Sequence, residues 1–363
     1  MSVDEGLDAG GLTLSAREAA LAPPRAYGEP LAAGQLRGEP EDFLVEEDLG
    51  FAPAGAGQHL LLKVRKRNAN TQWVARELAR IAGCRGFEVG FAGLKDRRAV
   101  AVQWFSVPRP RTEVNWPEVR GESFSVLEAH MHNRKLPRGA LAGNRFTVRI
   151  RAVDGDGAHL GAVLAPRLEQ IARRGVPNYF GPQRFGRDGA NLVRDQANLS
   201  SLRREQRGFV LSAARSVVFN AVLAERVTDG SWEQLVAGDI ANLDGRGSVF
   251  PADTADSMLA ERCARLDIHP TGPMWGAGSP ATLGGVLELE SRVGTRFAEE
   301  SGLCAAAGMA HERRSLRLAV RELHSEPEPD ACVLRFRLAR GSFATVVLRE
   351  LIADVPVTGD AAD

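Results

Sequence analysis

Apolar and polar positions alternate near both ends of the chain, while its middle repeats apolar positions at helical spacing. At the N-terminal end, "DFLVEEDL" (42–49) and "HLLLKVRKR" (59–67) read as strands, with "GFAPAGAGQ" (50–58) as the loop between them. "NANTQWVARELARIAG" (68–83) reads as a helix: Trp73, Val74, Leu78 and Ile81 form its apolar stripe, Asn70 or Thr71 caps it, and Gly83 stops it. "FEVGFAG" (87–93) returns to extended structure and "AVQWFSVP" (101–108) is a further strand, so the charged "LKDRR" (94–98) is a loop between strands, a common place for a site. "NRFTVRIRAV" (144–153) alternates cleanly, with Phe146, Val148 and Ile150 on one side and Thr147 and the arginines on the other. "CVLRFRL" (332–338) alternates likewise, and "GSFATVVLREL" (341–351) reads as a helix entered at Gly341–Ser342.

Four segments between these ends are helix-like: 158–175, 209–230, 256–266 and 294–313. The pattern therefore predicts one α+β domain built from the two ends of the chain and interrupted by a helix-rich insertion at about 175–317. Residues 1–24 are small, polar and rich in Gly and Ala, and are expected to form a disordered tail. They offer no basic stretch leading into a long apolar core, so no targeting segment is expected and the expected compartment is the cytoplasm.

Composition excludes more than it assigns. In 363 residues, 44% are hydrophobic and 25% charged, as in soluble globular proteins. No run approaches the roughly 18 apolar residues of a membrane span. The four cysteines, Cys84, Cys263, Cys304 and Cys332, are far apart and form no CxxC, which argues against a disulfide framework and a zinc site. His130 and His132 in "HMH" read as an exposed basic edge rather than a metal site. There is no GxxxxGK[ST], GxSxG or HExxH, and "VDGDGAHLG" (153–161) has the wrong spacing for a dinucleotide loop and reads as a turn. The net charge is zero, but its distribution is uneven. Residues 1–59 carry 3 Lys/Arg against 11 Asp/Glu, whereas residues 60–151 carry 19 against 7, a local excess of +12. Such a block suggests a polyanion-binding surface, unless folding scatters the cations over several faces.

Within the block, Asp96 stands alone among Lys95, Arg97 and Arg98. A salt-bridge cluster on a solvated face is one reading. Three features favour chemistry instead. Gly93 permits close approach of a bulky ligand, the flanking cations favour a carboxylate there as nucleophile or base, and the same cations suit phosphates. A carboxylate at a polyanion-binding spot weakens binding, so its presence suggests a reaction.

"FAGLKDRRAV" with "QWFSV", "NRFTV", "GVPNYFGPQRFG", "GSFATVVLREL" and "EPEDFLVEEDLGF" resemble the TruD family of tRNA pseudouridine synthases, in the family's order from about Pro30 to Leu351. The resemblance implies an α+β fold: a pseudouridine-synthase catalytic domain with a mixed, largely antiparallel sheet (25–174 and 318–354), and an inserted helix-rich TRUD domain (175–317). RNA is expected between the two parts. The implied reaction isomerises uridine, at position 13 of tRNA in the bacterial type, to pseudouridine with no cofactor and no metal. The implied catalytic residue is Asp96, attacking ribose C1′ or deprotonating C2′. Phe43, Asn144, Phe146 and Phe343 match family positions at the substrate pocket, where Asn144 offers a donor and an acceptor to the uracil edge or the ribose. Phe43 and Phe146 read equally well as core. Arg37 stands where the family also has lysine. Lys95, Arg97 and Arg98 are at hand for the departing uracilate or for phosphates. In "NYFGPQRFG" (178–186), Tyr179, Phe180 and Phe185 read as anchors of a packed turn and Arg184 as an RNA contact. tRNA is the expected partner, with no membrane and no obligate protein partner, and the protein is expected to be a monomer. Two rival readings are an RNA-binding or chaperone protein without catalysis, and a glycoside-cleaving enzyme with Glu46 or Glu47 as its second carboxylate.

Overall fold

The computed structural model describes residues 16–186, 189–192, 199, 201–254 and 256–355. The chain divides into two compact units, one spanning Pro30–Arg173 with the chain from Ala319 onward, the other Arg174–Leu318 with the segment preceding Pro30.

The first unit is built on a ten-stranded mixed sheet. Its main path runs through the strands Arg321–Pro327, Ala331–Ala339, Gly143–Ala152, Phe43–Asp48, Val100–Pro108, His59–Arg67 and Phe124–His132. All neighbours on this path are antiparallel except Phe43–Asp48 and Val100–Pro108, which run parallel. Two short strands, Ala32–Gln35 and Ile352–Asp354, pair in parallel near the two ends of the unit. Alternation fixes the faces, because residues two apart on a strand share a side. Register then places Phe43, Val45 and Glu47 on the same face as Val148, Phe146 and Asn144. On the neighbouring strands Lys66, Val64 and Leu62 meet Ala101, Gln103 and Phe105. Arg145, Thr147, Arg149 and Arg151 fall on the other face, as their spacing predicts.

The helix Thr71–Ala82 covers part of the first face. Val74, Leu78 and Ala79 are buried with Leu62, Val64, Phe91 and Phe105 in one cluster. Asn70 caps this helix by accepting from the Gln72 amide at 2.8 Å, and Gly83 ends it in the left-handed region at φ 67°. Removing the cap leaves a first-turn amide without its acceptor. Asn70→Ala is therefore expected to cost about 1 kcal/mol, read as a fall of about 2–4 °C in the melting temperature of this unit.

The second unit is helix-rich, with a small sheet that the sequence pattern does not predict. Its longest helix, Arg204–Thr228, packs against the strand Ile268–Met274 and the helix Ala298–Ala306. By length and composition Gln206–Thr228 could cross a membrane, but most of it is buried inside this unit. The small sheet orders Val249–Pro251, Ile240–Leu243, Ile268–Met274 and Glu312–Ser315. Pro270 and Pro273 interrupt the pattern of "IHPTGPM", which is why Ile268–Met274 does not read as a strand from its sequence. The Arg226–Asp239 pair is buried and doubly hydrogen-bonded, at 2.9 and 3.0 Å.

Other segments also depart from their sequence reading. Of the expected tail, residues 1–15 lie outside the described residues, whereas Ala16–Leu21 is helical, buries Ala19 and Ala20 and packs against Arg204–Thr228. The expected helix at 341–351 is only Ala344–Leu348, after which the chain turns into the strand Ile352–Asp354. His132 is buried rather than exposed: its Nδ1 accepts from the Ala54 amide at 3.2 Å, and burial lowers its pKa. His130 pairs with Glu128 at 2.9 Å.

Candidate active site

The loop after the short strand Gly90–Phe91 carries Asp96 across the polar end of the covered sheet face. Three supports fix it. The Lys95 amide donates to Thr71 Oγ1 at 3.1 Å. Gln103 Nε2 donates to the Gly93 carbonyl at 2.6 Å, and Thr71 Oγ1 donates to Gln103 Oε1 at 3.2 Å. Lys66 Nζ donates to the Asp96 carbonyl at 2.7 Å and to the Ala69 carbonyl at 2.8 Å. Lys66 is fully buried, and burial pushes its pKa down to about 8, against the opposing attraction of the Asp96 charge. The loop is thus tied to the sheet through its backbone, which leaves the Asp96 side chain partly exposed.

The Asp96 side chain is 27% exposed. Its Oδ1 accepts from the Arg98 amide at 3.2 Å and its Oδ2 pairs with Arg37 Nη2 at 3.3 Å. Arg37 sits in the left-handed region at φ 59°, unusual for a residue with a side chain. Its guanidinium lies 4.7 Å from the centroid of the Phe43 ring. Phe43 meets Phe146 edge to face at 6.0 Å, and Phe146 stacks on Phe336 at 5.3 Å. A Cβ added at Gly93 would meet nothing, so the approach beside it is open.

Asn144 is the register partner of Glu47 and is buried, yet its Oδ1 has no hydrogen-bond partner among the described residues. A buried unpaired acceptor costs about 1–3 kcal/mol, and an acceptor held at that cost one strand away from the Glu47–Lys95 pair is suited to a ligand's donor. Glu47 is fully occupied. Its Oε1 pairs with Lys95 Nζ at 2.5 Å and its Oε2 accepts from the Trp104 amide at 2.9 Å. The Lys95 charge is therefore matched by a buried carboxylate. Arg97 and Arg98 are exposed on the loop.

The geometry brings Arg37, Phe43, Phe146 and Asp96 together by direct contacts, with Asn144 and Lys95 joined to them through sheet register and Glu47. The remaining aromatic nominee, Phe343, is half-buried at the start of the helix Ala344–Leu348, five positions beyond Leu338, the partner of Asn144 across the sheet. Arg184 is in the other unit, where its guanidinium packs 5.2 Å from the Phe180 ring and donates to Ser212 Oγ at 2.9 Å. Tyr179, Phe180 and Phe185 around it are buried. Sequence reasoning misses Lys66 and Gln103, and gives Thr71 only as a possible helix cap. A signal for the first two is present: both are polar residues on the apolar phase of their strands.

Much of the basic block is neutralised on folding. Lys63 pairs with Glu46 and Glu128, Arg67 with Glu41, Arg151 with Asp42, and Arg149 with Glu328.

A family model described as tRNA pseudouridine synthase D (TruD) matches residues 25–193 and 190–351. The chain belongs to the TruD family. A relative named tRNA pseudouridine synthase D from Methylococcus capsulatus is 44% identical over 337 residues, covering 91% of this chain and 94% of that one. Another of the same name from Nitrosococcus oceani is 45% identical over 344 residues, covering 92% and 95%. A crystal structure from Methanosarcina mazei assigned to TruD superposes with a TM-score of 0.73 at 20% identity, covering 94% of this chain and 99% of that chain. The α+β architecture expected from the motifs is therefore the TruD fold.

Proposed function

We propose that this chain is an isomerase that converts uridine in tRNA, at position 13, to pseudouridine, with Asp96 as the group that acts on the sugar. The observation that carries the reading is the setting of Asp96: its backbone is tied to buried Lys66, and its partly exposed carboxylate is paired with Arg37. The target base leaves the helical stack before reaction. Phe43, buried beside Arg37, and Phe146, buried against Phe43, are suited to an apolar wall for that base, and Asn144 Oδ1, without a partner among the described residues, is suited to accept from uracil N3–H or a ribose hydroxyl.

Asp96 either attacks C1′, displacing uracil through cleavage of the N1–C1′ bond, or takes a proton from C2′ as that bond breaks. The detached uracil turns to present C5, and the C5–C1′ bond forms as the Asp96–C1′ bond breaks or, on the second route, as the Asp96 proton returns to C2′; C5 then loses its proton and N1 gains one. Atoms and electrons balance within the nucleoside, so the reaction consumes no oxidant, reductant or group donor. Arg37 is placed to hold the Asp96 carboxylate in line, and exposed Arg97 and Arg98 are suited to phosphates.

The test is to incubate the protein with unmodified tRNA transcript and map pseudouridine by carbodiimide adduct and primer extension. A new stop at position 13 is expected. Salt-sensitive binding without any adduct would instead favour an RNA-binding protein without catalysis.

A further inference from the structure

We infer that a basic groove beside the Asp96 loop binds unpaired nucleotides of the RNA next to the target, with phosphates on Arg76, Lys135 and Arg138 and a base stacked on Phe87. The inference rests on the proposed action on tRNA. It concerns a surface separate from the residues assigned to the reaction.

The groove has a volume of about 780 Å³ and lies between the helix Thr71–Ala82, the turn Gly86–Glu88 and the segment around Lys135–Arg138. None of the residues lining it is acidic. Arg76, Lys135 and Arg138 are exposed along it, and none makes an ion pair among the described residues. This separates them from the many cations of the same basic block that are already matched by carboxylates. Three unmatched cations around one concavity form a focused positive field, which suits a chain of phosphates.

The aromatic content narrows the ligand. Phe87 is 70% exposed, an unusual cost for so large an apolar side chain. Lys135 Nζ donates to its backbone carbonyl, so the turn that holds Phe87 outward is pinned by one of the groove's own cations. Arg85 lies 5.9 Å from the Phe87 ring centroid, and Arg138 lies 3.8 Å over the ring of Phe91. Exposed aromatics interleaved with cations suit single strands, whose bases are free to stack, better than a duplex, whose bases are already stacked. Gly90 forms part of the wall, where a Cβ would run into the Leu136 carbonyl.

The groove adjoins the site through the chain itself. Gln72 lines it, while the preceding Thr71 holds the Lys95 amide. Phe91 lines it too, and the Gly139 amide donates to the Ala92 carbonyl at 2.7 Å, fixing the start of the Asp96 loop to the segment that carries Arg138.

The experiment measures Kd for a tRNA transcript by fluorescence anisotropy over a salt series, for wild type, R76Q/R138Q and F87A. For R76Q/R138Q, the slope of log K against log[salt] is expected to shrink by about 1.4, two single-strand phosphate contacts at about 0.7 each. F87A is expected to weaken binding by about tenfold with an unchanged salt slope. In turnover, both losses are expected in KM rather than kcat. Wild-type Kd and slope in the double variant would overturn the groove, and an unaffected F87A would overturn the unpaired-base assignment. All substituted side chains are exposed, and a thermal melt verifies folding. If these variants lose affinity while the wild-type protein forms no pseudouridine, the binding inference stands and the proposed reaction fails.

Discussion

Asp96→Asn is expected to lower the single-turnover rate of pseudouridine formation by about 10³-fold or more, within or above the range for loss of a proton-transfer group, while tRNA Kd changes by less than about threefold. Asparagine keeps the size of the side chain, and its Oδ1 can still accept from the Arg98 amide that Asp96 now holds at 3.2 Å. The anchor from Lys66 goes to the backbone carbonyl, which the substitution does not alter. The loop should therefore stay in place. What disappears is the negative charge facing Arg37 and the lone-pair basicity needed to attack C1′ or accept the C2′ proton. The measurement is product formed per enzyme at saturating protein, alongside filter binding and a thermal melt. A variant that rearranges uridine at the wild-type rate would remove Asp96 from the reaction. A variant that fails to fold would point to a structural role, which Asp96→Glu, retaining the charge with one more methylene, would then separate from a chemical one.

The strands are legible because the alternation in this chain is strong. "HLLLKVRKR" corresponds to the strand His59–Arg67 without adjustment, and "NRFTVRIRAV" corresponds to Gly143–Ala152 within a residue or two. The helix from Thr71 is equally clear, since Asn70 and Gly83 supply chemically distinct signals at its two ends. Legibility fails where local pattern and tertiary environment disagree. The apolar run in "GSFATVVLREL" looks helical, but Ile352–Asp354 finds a parallel partner in Ala32–Gln35, more than 300 positions away, and the helix closes after five residues. No local signal announces such a pairing.

The site shows the same division. Asp96 is conspicuous because a lone acid among cations asks for an explanation. Its support is less conspicuous, because it comes from strands remote in sequence and from side chains that look like surface residues when read singly. Glu47 is a sequence candidate for the second carboxylate of glycoside cleavage. Both of its oxygens are committed, to Lys95 and to the Trp104 amide, which leaves it suited to positioning. Lys95, a sequence candidate for the departing base, is held by that same carboxylate. The basic block likewise looks like one surface along the chain. Strand alternation sends Arg145, Arg149 and Arg151 to the far face of the sheet, where Glu322, Glu328 and Asp42 meet them.

Lys66→Met is the second large effect expected, a fall in kcat of about 10²-fold, the scale associated with a misplacement of about 1 Å at a reacting group. Methionine fills much of the same volume but leaves the carbonyls of Asp96 and Ala69 without the donor they share at 2.7 and 2.8 Å. The Asp96 loop then loses one of its ties to the sheet, the one at Asp96 itself, whereas the exposed cations that suit RNA are untouched, so Kd for tRNA should stay within about threefold. The pH dependence gives an independent check. Burial lowers the Lys66 pKa to about 8 from its ordinary 10.5; the Asp96 charge opposes this shift and Lys95 adds to it. Between those two values the unfolded chain binds the proton and the folded chain has released it, so stability from this group rises with pH across the window. Below about 8 both states are protonated and the folded protein bears the cost of the buried charge, about 3 kcal/mol relative to pH above 10.5. The stability of wild type relative to Lys66→Met should therefore increase from about pH 8 to 10.5 in denaturant titrations. A flat difference would show that burial does not lower the Lys66 pKa, and an unimpaired kcat in a folded Lys66→Met protein would show that the Asp96 loop needs no such anchor.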